Sequence, residues 1–175
     1  MTAEAPEKWL KWVALTTTIL AVCAAIGSLK GGGFSTQVQL MTTQESNQWS
    51  YYQAKSIKGH LTELERDLLK VELLKNDGPV VNAEVQVKIN DLEKNIVSYN
   101  KEKDEIKAKA DSFTGQMAVL KHHGGSFGLS VMFFQIAIML SAIGSLLKQR
   151  SSWLVGLAIG AVGIVYFLNG FFLFF

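Results

Sequence analysis

Three stretches of this chain carry no Asp, Glu, Lys or Arg: Trp12 to Leu29, Gly124 to Leu147 and Ser151 to Phe175, of 18, 24 and 25 residues. Crossing ~30 Å of hydrocarbon takes about 20 apolar residues, and in that solvent the backbone must satisfy its own hydrogen bonds. Three transmembrane helices are therefore expected, at 9–29, 126–147 and 153–175, behind a short N-terminal tail at 1–8. The lipid bilayer is the first partner. Whole-chain averages conceal this, since 49% hydrophobic residues and a mean hydropathy of +0.20 would also suit a soluble domain. The first segment is read as an uncleaved anchor, not a signal peptide. It opens on Trp9 and Trp12, which suit an interfacial belt, and its exit at Ser28-Leu29-Lys30-Gly31 lacks an Ala-x-Ala-like cleavage site.

Between the first two apolar stretches lies a polar middle, 34–121. Residues 31–121 hold 12 Lys/Arg and 13 Asp/Glu, mixed in sign along their length, which describes a solvated helix face and not a nucleic-acid footprint. Its second half carries a long heptad: Val85, Ile89, Leu92, Ile96, Tyr99, Lys103, Ile106, Ala110, Phe113, Met117 and Leu120. Only Lys103 interrupts the largely apolar run. A 3.5-residue repeat keeps one stripe of a helix turned toward a partner helix. The first half carries a shorter row, Ile57, Leu61, Leu64, Leu68 and Val71, expected to face the second. Asn76-Asp77-Gly78-Pro79 between them is a strong stop and turn. The arms, Thr36–Lys75 and Val80–Lys121, match in length, about 60 Å each at ~1.5 Å per residue. Gly31-Gly32-Gly33 and Gly124-Gly125 then fall at the same height, as a joint under each leg, acting as helix terminator or hinge. The expected fold class is an all-α membrane protein with three transmembrane helices and a long antiparallel coiled-coil hairpin inserted between the first and second.

Candidate surfaces follow from unusual side chains. Extending the first-arm row backward meets Ala54, Ser50 and Asn47, and an Asn in a heptad seam fixes register at some cost in stability. Asn47, Trp49, Tyr51, Tyr52, Gln53 and Lys55 form the densest such cluster in the polar middle. They are a candidate partner or oligomer surface, with packing against the second arm around Lys103 to Ala110 as the alternative. Small residues mark candidate membrane-helix packing: Ala21 and Ala25, Ser141 and Ser145, and Gly156, Gly160 and Gly163. The hydroxyls of Thr16, Thr17 and Thr18 either bond across helices or bond their own backbone.

Chemistry-bearing groups are sparse. Cys23 is the one cysteine, which excludes disulfides and thiolate clusters within the chain. His122 and His123 are adjacent, so their rings diverge on a helix, and no shared metal is expected. There is no nucleophile elbow, HExxH, P-loop or paired intramembrane carboxylates, so neither catalysis nor a cofactor is expected. Lys148 and Arg150 in the short loop between the last two spans, with Lys8 and Lys11 in the tail, tilt toward the N-terminus inside and the hairpin outside, in the periplasm of a Gram-negative cell, against Lys30, Lys107, Lys109 and Lys121 near the membrane on the hairpin side.

The passage Asn47-Gln-Trp-Ser-Tyr-Tyr-Gln-Ala-Lys-Ser-Ile-Lys58 resembles a bacterial membrane family catalogued as domain of unknown function 4337. So does His122 or His123 followed by Phe127 and Phe134-Gln-Ile-Ala-Ile-Met-Leu-Ser-Ala-Ile143. The resemblance covers nearly the whole chain, and the Trp-x-Tyr-Tyr-Gln-Ala-Lys run is its most specific part. It implies a bacterial inner-membrane protein and supplies no activity, substrate or catalytic residue. The Gly31–Gly33 run departs from the family's simplest pattern, which puts the continuity of that leg in question. The function expected is a non-enzymatic homo-oligomeric scaffold or assembly protein, its other protein partners unspecified. The alternative is an oligomeric channel or transporter component whose pore is lined by small and polar residues.

Overall fold

The computed structural model describes residues 8–75 and 79–174. They form three helices, α1 (Lys8–Leu73), α2 (Pro79–Leu146) and α3 (Arg150–Phe172), with no strand among the described residues. All three are long and apolar enough to cross a membrane. Of the expected turn, residues 76–78 lie outside the described residues. α2 opens on Pro79, a first-turn position where the missing N–H forfeits no helical bond. The chain divides into two compact units, one of Met1–Gln39 with Met117–Phe175 and one of Leu40–Gln116.

Neither glycine cluster terminates its helix. α1 continues through Gly31–Gly33 and α2 through Gly124-Gly125, and no described glycine has a positive φ. A helical glycine costs only ~0.5–1 kcal/mol relative to alanine, too little to break helices of 66 and 68 residues. Two of these glycines serve a close approach instead. A Cβ on Gly31 would stand 3.3 Å from the Phe127 Cβ and 3.7 Å from the Gly124 carbonyl oxygen.

In the first unit, α1, α2 and α3 pack around Leu20, Phe134 and Ala137, with Cys23, Ala24, Ile138, Ile159 and Phe167 against them. Phe127 is fully buried, its ring meeting those of Phe34, Phe167 and Phe171. At one end Trp9 is buried beside Trp153, ring centroids 6.2 Å apart, and the Trp153 indole N–H donates to the Thr16 hydroxyl. The hydroxyls of Thr16, Thr17 and Thr18 donate to carbonyls of their own helix. A tight connection joins α2 to α3: Lys148 adopts φ 51°, and the Gln149 N–H donates to the Gly144 carbonyl at 2.8 Å. The large side chains Leu15, Ile19, Val22 and Ile26 of α1 point outward, as lipid-facing positions do.

The second unit is an antiparallel pair of arms from α1 and α2. The pairings 45 with 114, 55 with 102 and 70 with 93 show the direction. The α2 row behaves as its heptad requires, with Ile89, Leu92, Ile96, Ile106 and Ala110 buried and Val85, Tyr99, Lys103 and Phe113 half-buried. The α1 row does not. Ile57, Leu61, Leu64, Leu68 and Val71 are 47–63% exposed. The face turned to α2 is instead Tyr52, Lys55, Gly59, Thr62, Arg66, Leu69 and Leu73, at the same alternation but two residues out of phase. At ~100° per residue the two rows lie roughly 160° apart on the helix. Opposite charges line up across the pairing on this face. Lys55 meets Glu102 at 2.5 Å, Lys70 meets Glu93 at 2.9 Å and Glu65 meets Lys88 at 3.2 Å, while half-buried Lys55 and Arg66 lay apolar stems along the seam. Gly59, buried, admits Tyr99: a Cβ there would stand 3.8 Å from the Tyr99 Cβ.

Candidate functional site

The cluster at 47–55 occupies about two and a half turns of α1, so its members point to different sides. Tyr52 and Lys55 lie on the face turned to α2, Trp49 is half-buried beside them, and Asn47, Tyr51 and Gln53 are exposed. The Trp49 and Tyr52 rings meet edge to face, 5.6 Å apart at 72°. Across the seam, the Lys103 ammonium stands 5.7 Å over the Tyr52 ring. The Lys55 ammonium lies 5.6 Å from the Tyr51 ring and 5.3 Å from that of Tyr99, both within cation–π range, and pairs with Glu102.

The electrostatics are those of a satisfied ion pair. The hydrogen bond to Glu102 raises the Lys55 pKa above its ordinary 10.5, against a smaller opposing effect of burial. The reciprocal bond from Lys55 holds Glu102 below its ordinary 4.5. Both groups stay charged across the neutral range, so the grouping holds two helices together and offers neither a general acid nor a general base near pH 7. Among the described residues no three His, Cys, Asp or Glu gather as metal ligands would.

Local sequence reading places Tyr99 only as one heptad position and does not single out Glu102, yet these are the partners of Lys55. A signal for them exists. An antiparallel pair turning at 76–79 sets position 55 opposite about position 100, on geometry alone. A family model described as a domain of unknown function, DUF4337, matches residues 9–173. The chain belongs to the DUF4337 family. The match runs through both compact units of the DUF4337 chain, including the 47–55 cluster and the α3 glycines. No curated protein and no solved structure matches it.

The small residues of this DUF4337 chain divide by helix. Gly156, Gly160 and Gly163 are buried on α3, and Ser141 is buried opposite them on α2 with Ser145 half-buried. A Cβ on Gly156 would meet the Ala137 carbonyl oxygen at 2.9 Å and the Ser141 hydroxyl at 3.0 Å. One on Gly163 would meet the Phe134 ring at 2.8 Å. Ala21 and Ala25 on α1 are exposed; its packed face carries Leu20, Ala24 and Gly27.

Polar groups inside the first unit are paired. Asn169 is buried, its amide donating to the Ser126 hydroxyl at 3.0 Å and its oxygen accepting the Phe174 N–H at 2.7 Å. The His123 Nδ1 donates to the Gly170 carbonyl at 2.8 Å, with the ring stacked on Phe34 5.0 Å away, and His122 is exposed. These groups close the end of α3 onto α2. Each partner is a backbone or side-chain atom of the same unit.

Proposed function

We propose that this DUF4337 protein is a non-enzymatic, homo-oligomeric scaffold of the bacterial inner membrane, with its charged hairpin in the periplasm. One observation carries the reading: a water-facing unit with its ion pairs satisfied internally leaves five large aliphatic side chains, Ile57 to Val71, uncovered in a row. Contiguous apolar surface on an otherwise charged unit marks an association site. The inner-membrane and periplasmic assignments draw on the three apolar helices and on the basic residues of the tail and the α2–α3 connection.

The test is the mass of the purified protein in native nanodiscs, measured by native mass spectrometry. One defined multimer is expected; a monomer overturns the reading. The channel alternative draws on Gln135, an exposed amide midway along the apolar part of α2. A uniform, Gln135-dependent conductance in reconstituted bilayers is the result that would favour it.

A further inference from the structure

The exposed row on α1 is a helix-pairing seam by its spacing. Ile57, Leu61, Leu64, Leu68 and Val71 follow at steps of four, three, four and three. The row continues in the same phase through Ala54, Ser50 and Asn47, all exposed. The flanking positions carry Lys58, His60, Glu65, Asp67 and Glu72, so the surroundings are aqueous and lipid is not what covers it.

We propose that this row is the contact between copies of the chain, with the α1 arms of two or more molecules in one bilayer associating in parallel and in register. The proposal rests on the homo-oligomeric reading above and names its surface.

Topology, spacing and one amide favour this occupant. Copies inserted in one membrane with one topology enter their hairpins from the same side, so their α1 arms run the same way at the same height. Each residue then meets its own counterpart, and a row of aliphatic residues is self-complementary. The spacing places Leu61 and Leu68 at heptad position a, and Ile57, Leu64 and Val71 at d. Asn47 falls at an a position of the same row, where an amide meets a matching amide only in register. Flanking pairs set His60 near Glu65 and Gln53 near Lys58 of the next copy, with Asp67 and Glu72 as the one like-charged pair. An antiparallel pairing matches Lys58 with Glu65 and His60 with Asp67. It requires two molecules reaching from opposite membranes, and places residue 54 opposite residue 71, about 25 Å from its own counterpart at ~1.5 Å per residue.

The experiment uses the full chain with Cys23→Ala, in nanodiscs, with an added thiol oxidant. A single cysteine at position 54 (Ala54→Cys) is expected to give covalent dimers, and one at position 97 on the outer face of α2 (Val97→Cys) is not. Native mass spectrometry of Leu61→Glu/Leu64→Glu is expected to show loss of the multimer. Circular dichroism at 222 nm should remain unchanged, because both side chains are exposed in the single chain. The neutral pair Leu61→Gln/Leu64→Gln repeats the test without added charge. A multimer that survives both double variants, with no Ala54→Cys dimer, overturns this seam and leaves the scaffold reading standing. A wild-type monomer overturns both.

Discussion

The ammonium group of Lys55 is shared among the Glu102 carboxylate and the rings of Tyr51 and Tyr99. Its pH dependence has two edges. Glu102 is held below its ordinary 4.5, so the pair's contribution is present above that value and is lost as pH falls through the lowered one. Lys55 is held above its ordinary 10.5, so the contribution is present below that value and is lost as pH rises through the raised one. The expected result is that Glu102→Gln unfolds at a lower temperature than wild type at neutral pH, and that the gap closes on acidification below 4.5. Thermal melts followed at 222 nm across that range check it. Buried apolar contacts obey a different rule. Ile89 is 1% exposed, and Ile89→Ala is expected to cost about 2–5 kcal/mol in denaturant unfolding, through lost transfer energy and the cavity left behind. Asn169→Ala should cost about 1–3 kcal/mol, because the Phe174 N–H and Ser126 hydroxyl lose a buried partner.

At the scale of helices, glycines of identical propensity have opposite roles. A methyl group on Gly32 would meet nothing within 4 Å, so Gly32→Ala is expected to stabilise α1 by about 0.5–1 kcal/mol. On Gly156 the same methyl meets backbone oxygen at 2.9 Å, and Gly156→Ala should destabilise by about 1–3 kcal/mol as α2 and α3 are forced apart. Unfolding of the two variants in the same detergent separates the roles. The four-residue spacing of Gly156 and Gly160 marks a packing position in the sequence, but the sign of each substitution is set by the atom on the neighbouring helix. The arms show the same limit. The α2 row is legible from sequence because Ile89, Leu92, Ile96 and Ile106 leave no rival stripe of comparable apolarity. On α1 two rows compete at one spacing, and hydrophobicity selects Ile57 to Val71. The structure turns the other inward, and its Lys55, Glu65 and Lys70 pair with residues on the opposite arm that a local window never contains. Of the 47–55 cluster, its aromatic and basic character is legible locally, while the division between the Lys55 side and the Asn47 side depends on that choice of face.

For the whole molecule, three helices are long and apolar enough to cross a membrane. Sidedness is a separate prediction. A cysteine at Val97, 69% exposed on α2, should react with a membrane-impermeant thiol reagent in cells whose outer membrane alone is permeabilised. No labelling until the inner membrane is also breached would place the hairpin in the cytoplasm. The face of α1 that stays uncovered in the single chain has a further consequence. On the proposal that copies associate through the row from Ile57 to Val71, each molecule would have one state when isolated and another when crowded. Local density in the bilayer, set by expression level and lateral diffusion, would then become an input to the protein's own architecture, and dosage would alter what the hairpin is as well as how many there are.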